Sequence, residues 1–229
     1  MRPTYRTSTA LRLKLVSFSR ARHGIAAVEF AIVMPVLLMF LLGGTEIARY
    51  INMGGAMTRL AYAEADLVAE RPSGSAALTT NDIIFGEEAT PLIFPEILRD
   101  AARQGLAGGN QAWMNDIQFT ISSVTFTPTV AGCTSNCTYT AAVTWSYAQN
   151  ASKRSCTIAP TQASDTAEPS LTTLPADVYT SGTLIVVDLA YQYVPVFGGA
   201  FVPPIWIRRS AYLQPRYNNA ITYSGIPSC

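Results

Sequence analysis

Histidine is almost missing from this chain: His23 is the only one in 229 residues. Past that position no Ser-His or Cys-His pair can activate a nucleophile, and no imidazole can hold zinc. The phosphate-cradling Gly-x-x-x-x-Gly-Lys, the dinucleotide-binding Gly-x-Gly-x-x-Gly and the Gly-x-Ser-x-Gly turn of hydrolases are absent as well. The adjacent carboxylates Glu87 and Glu88 read as a solvated face rather than as an acid–base pair. The sequence therefore predicts a protein that is not an enzyme, with no cofactor and no metal site.

Charge is also scarce, at 14% of residues, and it is unevenly placed. No acid precedes Glu29, while Arg2, Arg6, Arg12, Lys14, Arg20 and Arg22 all precede Gly24. Without that leader, ten basic residues face fifteen acidic ones, a balance of −5. The domain has no basic excess with which to neutralise phosphates, which argues against nucleic acid as a partner.

What the chain does have is a long apolar run. From Ile25 to Leu42 only Glu29 and Pro35 interrupt it. Residues 25–45 form a helix of about 31 Å at about 1.5 Å per residue, the thickness of a bilayer core. A buried helix of a soluble protein is the alternative, but Phe30–Leu42 lacks any polar face. Basic residues flanking a span stay cytoplasmic, so the N-terminus is expected inside and the remainder outside, in the periplasm. A cleaved secretory signal fits less well: the run is long for one, and Gly43–Arg49 has no clear small-x-small cleavage site. Glu29 needs a reason, since a carboxylate at the centre of a membrane helix costs about 2.5–3.5 kcal/mol. It is either a boundary acid reaching toward headgroups or a group whose partner comes from another subunit.

Gly24-Ile25-Ala26-Ala27-Val28-Glu29-Phe30, after a basic leader, resembles the processing site of type IV prepilins. The longer stretch from Arg22 to Pro35 resembles the TadE-like pseudopilins of tight-adherence (Flp) pilus systems, as does Gly44-Thr45-Glu46-Ile47-Ala48-Arg49. The resemblance is close over residues 20–70 and loose beyond. It implies a cut between Gly24 and Ile25 by a prepilin peptidase and a subunit-assembly role for Glu29 and Phe30. In such filaments Glu29 would pair with the new amine of a neighbouring subunit, relieving the burial of both charges and fixing axial register. The implied partners are membrane lipid, the peptidase, other pilins or pseudopilins and pilus-assembly proteins. Larger relatives carry a von Willebrand-type metal site; this chain has no Asp-x-Ser-x-Ser, so none is expected.

Beyond the span the helix is expected to continue over 46–71 on a stripe of Ile47, Ile51, Gly54, Thr58, Ala61, Ala65 and Val68, widened by Tyr50, Met53, Met57 and Leu60. That stripe could pack on the protein's own sheet or on other subunits. Arg71-Pro72-Ser73-Gly74-Ser75 ends the helix. Residues 72–112 read as a linker with one short helix, Phe94–Gln104, stopped by Gly105. Residues 113–229 read as β-rich: a hairpin of Ile117–Phe126 with Tyr139–Tyr147, a loop over Ala148–Ala176, and strands at Thr183–Tyr193 and Ile205–Leu213. The expected fold is α+β and pilin-like: a long N-terminal transmembrane helix, a small helix and a roughly four-stranded antiparallel sheet.

Four cysteines fall in the part placed outside the cytoplasm, where disulfides form. They allow three connectivities. Cys133 with Cys137 and Cys156 with Cys229 is favoured, because the first two are local and the last would tie down the C-terminus. The chain as a whole reads as a membrane-inserted structural subunit or assembly factor of a tight-adherence pilus. The rival is an uncleaved, signal-anchored periplasmic binding or sensory module.

Overall fold

The computed structural model describes residues 25–225 apart from 73, 76, 200 and 201, with the backbone alone at 109 and 110. Helix α1 runs Ile25–Ala69 without a break, through Pro35. It is followed by α2 (Thr80–Glu88), α3 (Thr90–Ile93), α4 (Glu96–Gln104) and a 3-10 turn at Gly109–Asn115. Strands β1 (Ile117–Pro128), β2 (Tyr139–Gln149), β5 (Gly182–Tyr193) and β6 (Ile205–Leu213) form a sheet in the order β2-β1-β5-β6. Every pairing in it is antiparallel. The fold is α+β. The short β3 (Thr161–Ala163) and β4 (Thr173–Pro175) pair in parallel inside the 148–176 segment expected to be loop. By contact the chain divides at Ala48/Arg49 into two compact units.

The larger unit is a sheet covered on both faces. One face carries Ile117, Phe119, Ile121, Ile185, Val187, Leu189 and Tyr191, packed with Met53, Met57, Leu60 and Ala61 of α1 and with Phe94 and Ile97. The other carries Val124, Phe126, Val143, Leu184 and Val186, packed with Leu174. Both sets alternate along the strands, as side-chain period two requires. In β2 the alternation breaks: Trp145 pairs with Ser123 and Val143 with Val124, so Thr144 is an extra residue. This bulge sends Val143 and Trp145 to opposite cores, although their spacing in sequence placed them on one face.

Helix α1 stops two residues short of the expected Arg71. The Ala69 carbonyl is taken by the Arg216 backbone N–H at 3.0 Å, and the Arg216 guanidinium binds Asp66 and Glu70. The apolar stripe expected on it packs from Met53 onward: Met53, Gly54, Met57, Leu60, Ala61, Ala65 and Val68 are buried. Its start does not pack, since Ile47 and Ile51 are 63% and 64% exposed, and Glu64, which the stripe did not include, is buried with the rest. A second helix, α2, stands where only linker was expected. It starts with a capping box in which the Asp82 N–H donates to Thr79 Oγ1 and the Thr79 N–H to the Asp82 carboxylate. Gly105 closes α4 in the left-handed conformation at φ 66°.

Candidate functional site

The first candidate is the exposed start of α1. Ile25 is its first residue, and Glu29 and Phe30 follow one turn later; all three are exposed. Ile25 and Glu29, four residues apart, share a face. Leu37, Met39, Phe40 and Leu41 are exposed too, so the segment shows apolar side chains all round. Within this segment the Thr45 hydroxyl donates to the Leu42 carbonyl at 2.8 Å. A helix of this length and composition can cross a membrane. Gly24, the residue before the expected cut, lies outside the described residues.

The cysteines fall elsewhere and do not converge with Glu29. Cys133 and Cys137 form a disulfide at the tip of the β1–β2 hairpin, with Cα atoms 5.8 Å apart. Cys156 is disulfide-bonded, and Cys229 lies outside the described residues.

Within the larger unit the structure adds charged clusters that the sequence did not single out. The Asp100 carboxylate of α4 is buried and receives Arg103 at 2.9 Å, Arg49 at 3.5 Å and the Tyr191 hydroxyl. Arg49, the last residue of the Gly44–Arg49 motif, thus has a folding role in tying α1 to α4. Asp116 is buried beside it and takes the Gln104 amide at 3.1 Å. Burial raises its pKa to about 6.

On the opposite face of the sheet, Arg154 is fully buried. It holds Asp188 at 2.7 and 2.9 Å and donates to the carbonyls of Ser170, Leu171 and Thr173. Ser210 also donates to Asp188. One side chain therefore fastens the 150–175 segment across β5.

The third cluster contains acids alone. Glu64 of α1 and Glu87 of α2 are 2% and 0% exposed. Glu87 accepts a long hydrogen bond from the Tyr147 hydroxyl, 3.4 Å, and its Oε1 finds no donor among the described residues. Gly86 makes room for this arrangement: a Cβ there would sit 2.8 Å from Glu64 Oε2. Burial raises Glu64 to about 7. Burial, and then the charge of Glu64, raise Glu87 to about 8 against the opposing Tyr147 hydrogen bond. The expectation that Glu87 and Glu88 form a solvated face therefore holds for Glu88 only. Ile83, Gly86, Glu87 and Thr90 recur at helical spacing, and that period was the signal that Glu87 points inward. No group of three or more His, Cys, Asp or Glu side chains among the described residues could hold a metal ion.

The long apolar N-terminal helix is consistent with a single-pass membrane anchor, and the larger unit by itself is an α+β domain. The family model for TadE-like protein matches residues 24–65, which run from Gly24 through Glu29 and Arg49 to just past Glu64. No curated protein and no solved structure matches the chain.

Proposed function

We propose that this protein is a minor pilin or pseudopilin of a tight-adherence pilus, a structural subunit or assembly factor rather than an enzyme. The carrying observation is that the TadE-like match begins at Gly24 and covers an all-round apolar helix whose second turn presents a carboxylate, Glu29. In this reading the basic leader holds the N-terminus at the cytoplasmic face of the bacterial inner membrane, where a prepilin peptidase cuts between Gly24 and Ile25. The larger unit then faces the periplasm, and the subunit serves adhesion in the membrane or in the pilus.

Cleavage would leave a cationic amine on Ile25, one helical turn from Glu29. A carboxylate and an amine in a low-dielectric helix bundle stabilise each other only when paired, and pairing between subunits would set their axial register. Phe30, exposed beside Glu29, would pack against the neighbouring helix.

N-terminal sequencing of the membrane-extracted protein tests the reading. We expect Ile25 as the first residue, and a bulky Gly24 substitution should leave the longer basic form in the membrane. Glu29→Ala should insert at least as well as the native chain, because it removes a membrane carboxylate, yet fail to assemble. A chain that still begins at Met1 in cells with an active prepilin peptidase would leave the uncleaved anchor of a periplasmic binding or sensory module.

A further inference from the structure

The Glu64 carboxylate lies at a cavity of about 410 Å³ between α1 and α2. Leu78, Ile83 and Ile121 line it from the core side, and Leu67 and Phe85 stand at its mouth. These two are 58% and 79% exposed, an unusual position for a leucine and a phenylalanine that share a rim. Arg71 also borders the cavity, but its guanidinium is engaged with Asp82 at 2.8 Å. Glu64 accepts no hydrogen bond and no ion pair from any described residue, although it is all but fully buried. A buried acid without a partner is costly to keep, and an apolar residue at position 64 would pack without that cost.

We propose that this cavity is a docking site for a lysine or arginine side chain carried between apolar residues on a partner protein. Charge and shape both select that occupant. A cation at the floor meets Glu64, with Glu87 behind it, while its aliphatic stem runs between Leu67 and Phe85 as long basic side chains do on apolar surface. The chain outside its leader has an excess of acid, −5, which favours a basic partner over an acidic one. Two carboxylates without a third ligand suit an ammonium or guanidinium better than a metal ion. The proposal rests on this geometry and is independent of whether the leader is cut.

The groups that face Glu64 fix the pH dependence. They are Glu87 and the Arg71–Asp82 pair, with Tyr147 against Glu87 and Tyr223 near Tyr147. Glu64, near 7, is about one tenth ionised at pH 6 and about nine tenths at pH 8. A cation binds the ionised form, so affinity should rise by up to about tenfold over that range.

The full chain in detergent micelles can be titrated with n-butylammonium and with n-butanol, its uncharged counterpart, while the amide signals of Leu67, Phe85 and Gly86 are followed by NMR. We expect saturable shifts with the amine, at least about tenfold tighter than with the alcohol and tighter at pH 8 than at pH 6. Glu64→Gln should abolish the preference while keeping the fold, checked by the fluorescence of Trp113 and Trp145. Phe85→Ala, at the exposed rim, should weaken both probes and keep the preference. Equal binding of amine and alcohol, a preference that survives Glu64→Gln, or no saturable shift at these residues would each overturn the proposal.

Discussion

Asp188 and Glu64 are both carboxylates set against the same sheet, on opposite faces, and their surroundings differ in kind. Asp188 has a guanidinium with two contacts, a hydroxyl, and an arginine whose remaining donors are spent on three carbonyls. Glu64 has burial and a second acid. The first arrangement is complete within the chain and reads as architecture: it closes the 150–175 segment over β5. The second is incomplete within the chain, beside an open cavity with an apolar rim. A buried charge matched by its own fold supports stability, whereas one left unmatched at a surface cavity marks where something else binds.

Arg154 carries the largest expected effect of any single side chain in the molecule. Arg154→Met removes the cation, strands Asp188 and frees three carbonyls, and should cost about 3–5 kcal/mol. Thermal unfolding of the full chain in micelles, followed by the fluorescence of buried Trp113 and Trp145, measures it. Combining it with Asp188→Leu should restore a large part of the loss, since no charge is then left unpaired. A single substitution that unfolds at the native temperature would show that the segment is held by its apolar contacts alone, Leu174 first among them.

The acid cluster sharpens the contrast through pH. Glu64 and Glu87 titrate near 4.5 when unfolded and near 7 and 8 when folded. The folded state therefore binds more protons between those values, so stability is greatest below about pH 4.5 for these groups and is lost as pH rises through 7 and 8. Asp116, raised to about 6, adds a loss of the same sign that is complete at lower pH. From pH 5 to pH 8 the larger unit should lose on the order of 7 kcal/mol. Glu64→Gln with Glu87→Gln should flatten that slope and raise stability at pH 8. A native melting temperature that rises from pH 5 to pH 8 would contradict the placement of these acids.

The parts of this fold that were legible in the sequence are those whose burial is apolar and regular. Ile205–Leu213 was read with the bounds the structure gives, and Thr183–Tyr193 to within one residue, because β-branched and aromatic residues dominate both. Helix α2 was missed because its inward side is Ile83, Gly86 and Glu87, which carries little hydrophobic signal, while Phe85 faces out. The α1 stripe is legible from Met53 to Val68, where its apolar and small residues are buried. Ile47 and Ile51 look like core residues but are exposed, and Glu64 packs with the buried set although no apolar pattern selects an acid. Glu29 was visible as a carboxylate inside an uncharged run. Arg154 was not, since it lies in a segment that composition alone describes as loop and its partner Asp188 is 34 residues away in β5.

The smallest effect is expected at the hairpin tip, where neither kind of buried charge is involved. Gly132 and Asn136 turn the chain there at φ 75° and 51°, and Thr129 already donates to the Thr138 carbonyl at 2.9 Å. The Cys133–Cys137 bridge closes a short loop over a ladder that is largely formed without it. Chain entropy caps its contribution at about 2 kcal/mol, and the existing ladder lowers that. Replacing both cysteines with serine should shift the melting temperature slightly and leave the pH slope unchanged, because the tip holds no group coupled to Glu64 or Glu87. Non-reducing peptide mapping of protein from its native compartment should recover Cys133–Cys137 within one peptide and join Cys156 to Cys229. Four alkylatable thiols there would place the larger unit in a reducing compartment and reverse the proposed orientation. A large stability loss with intact pH dependence would instead show that the hairpin tip holds the β1–β2 register, a task the structure assigns to the bulge at Thr144 and the Thr144 hydroxyl on the Ser123 carbonyl.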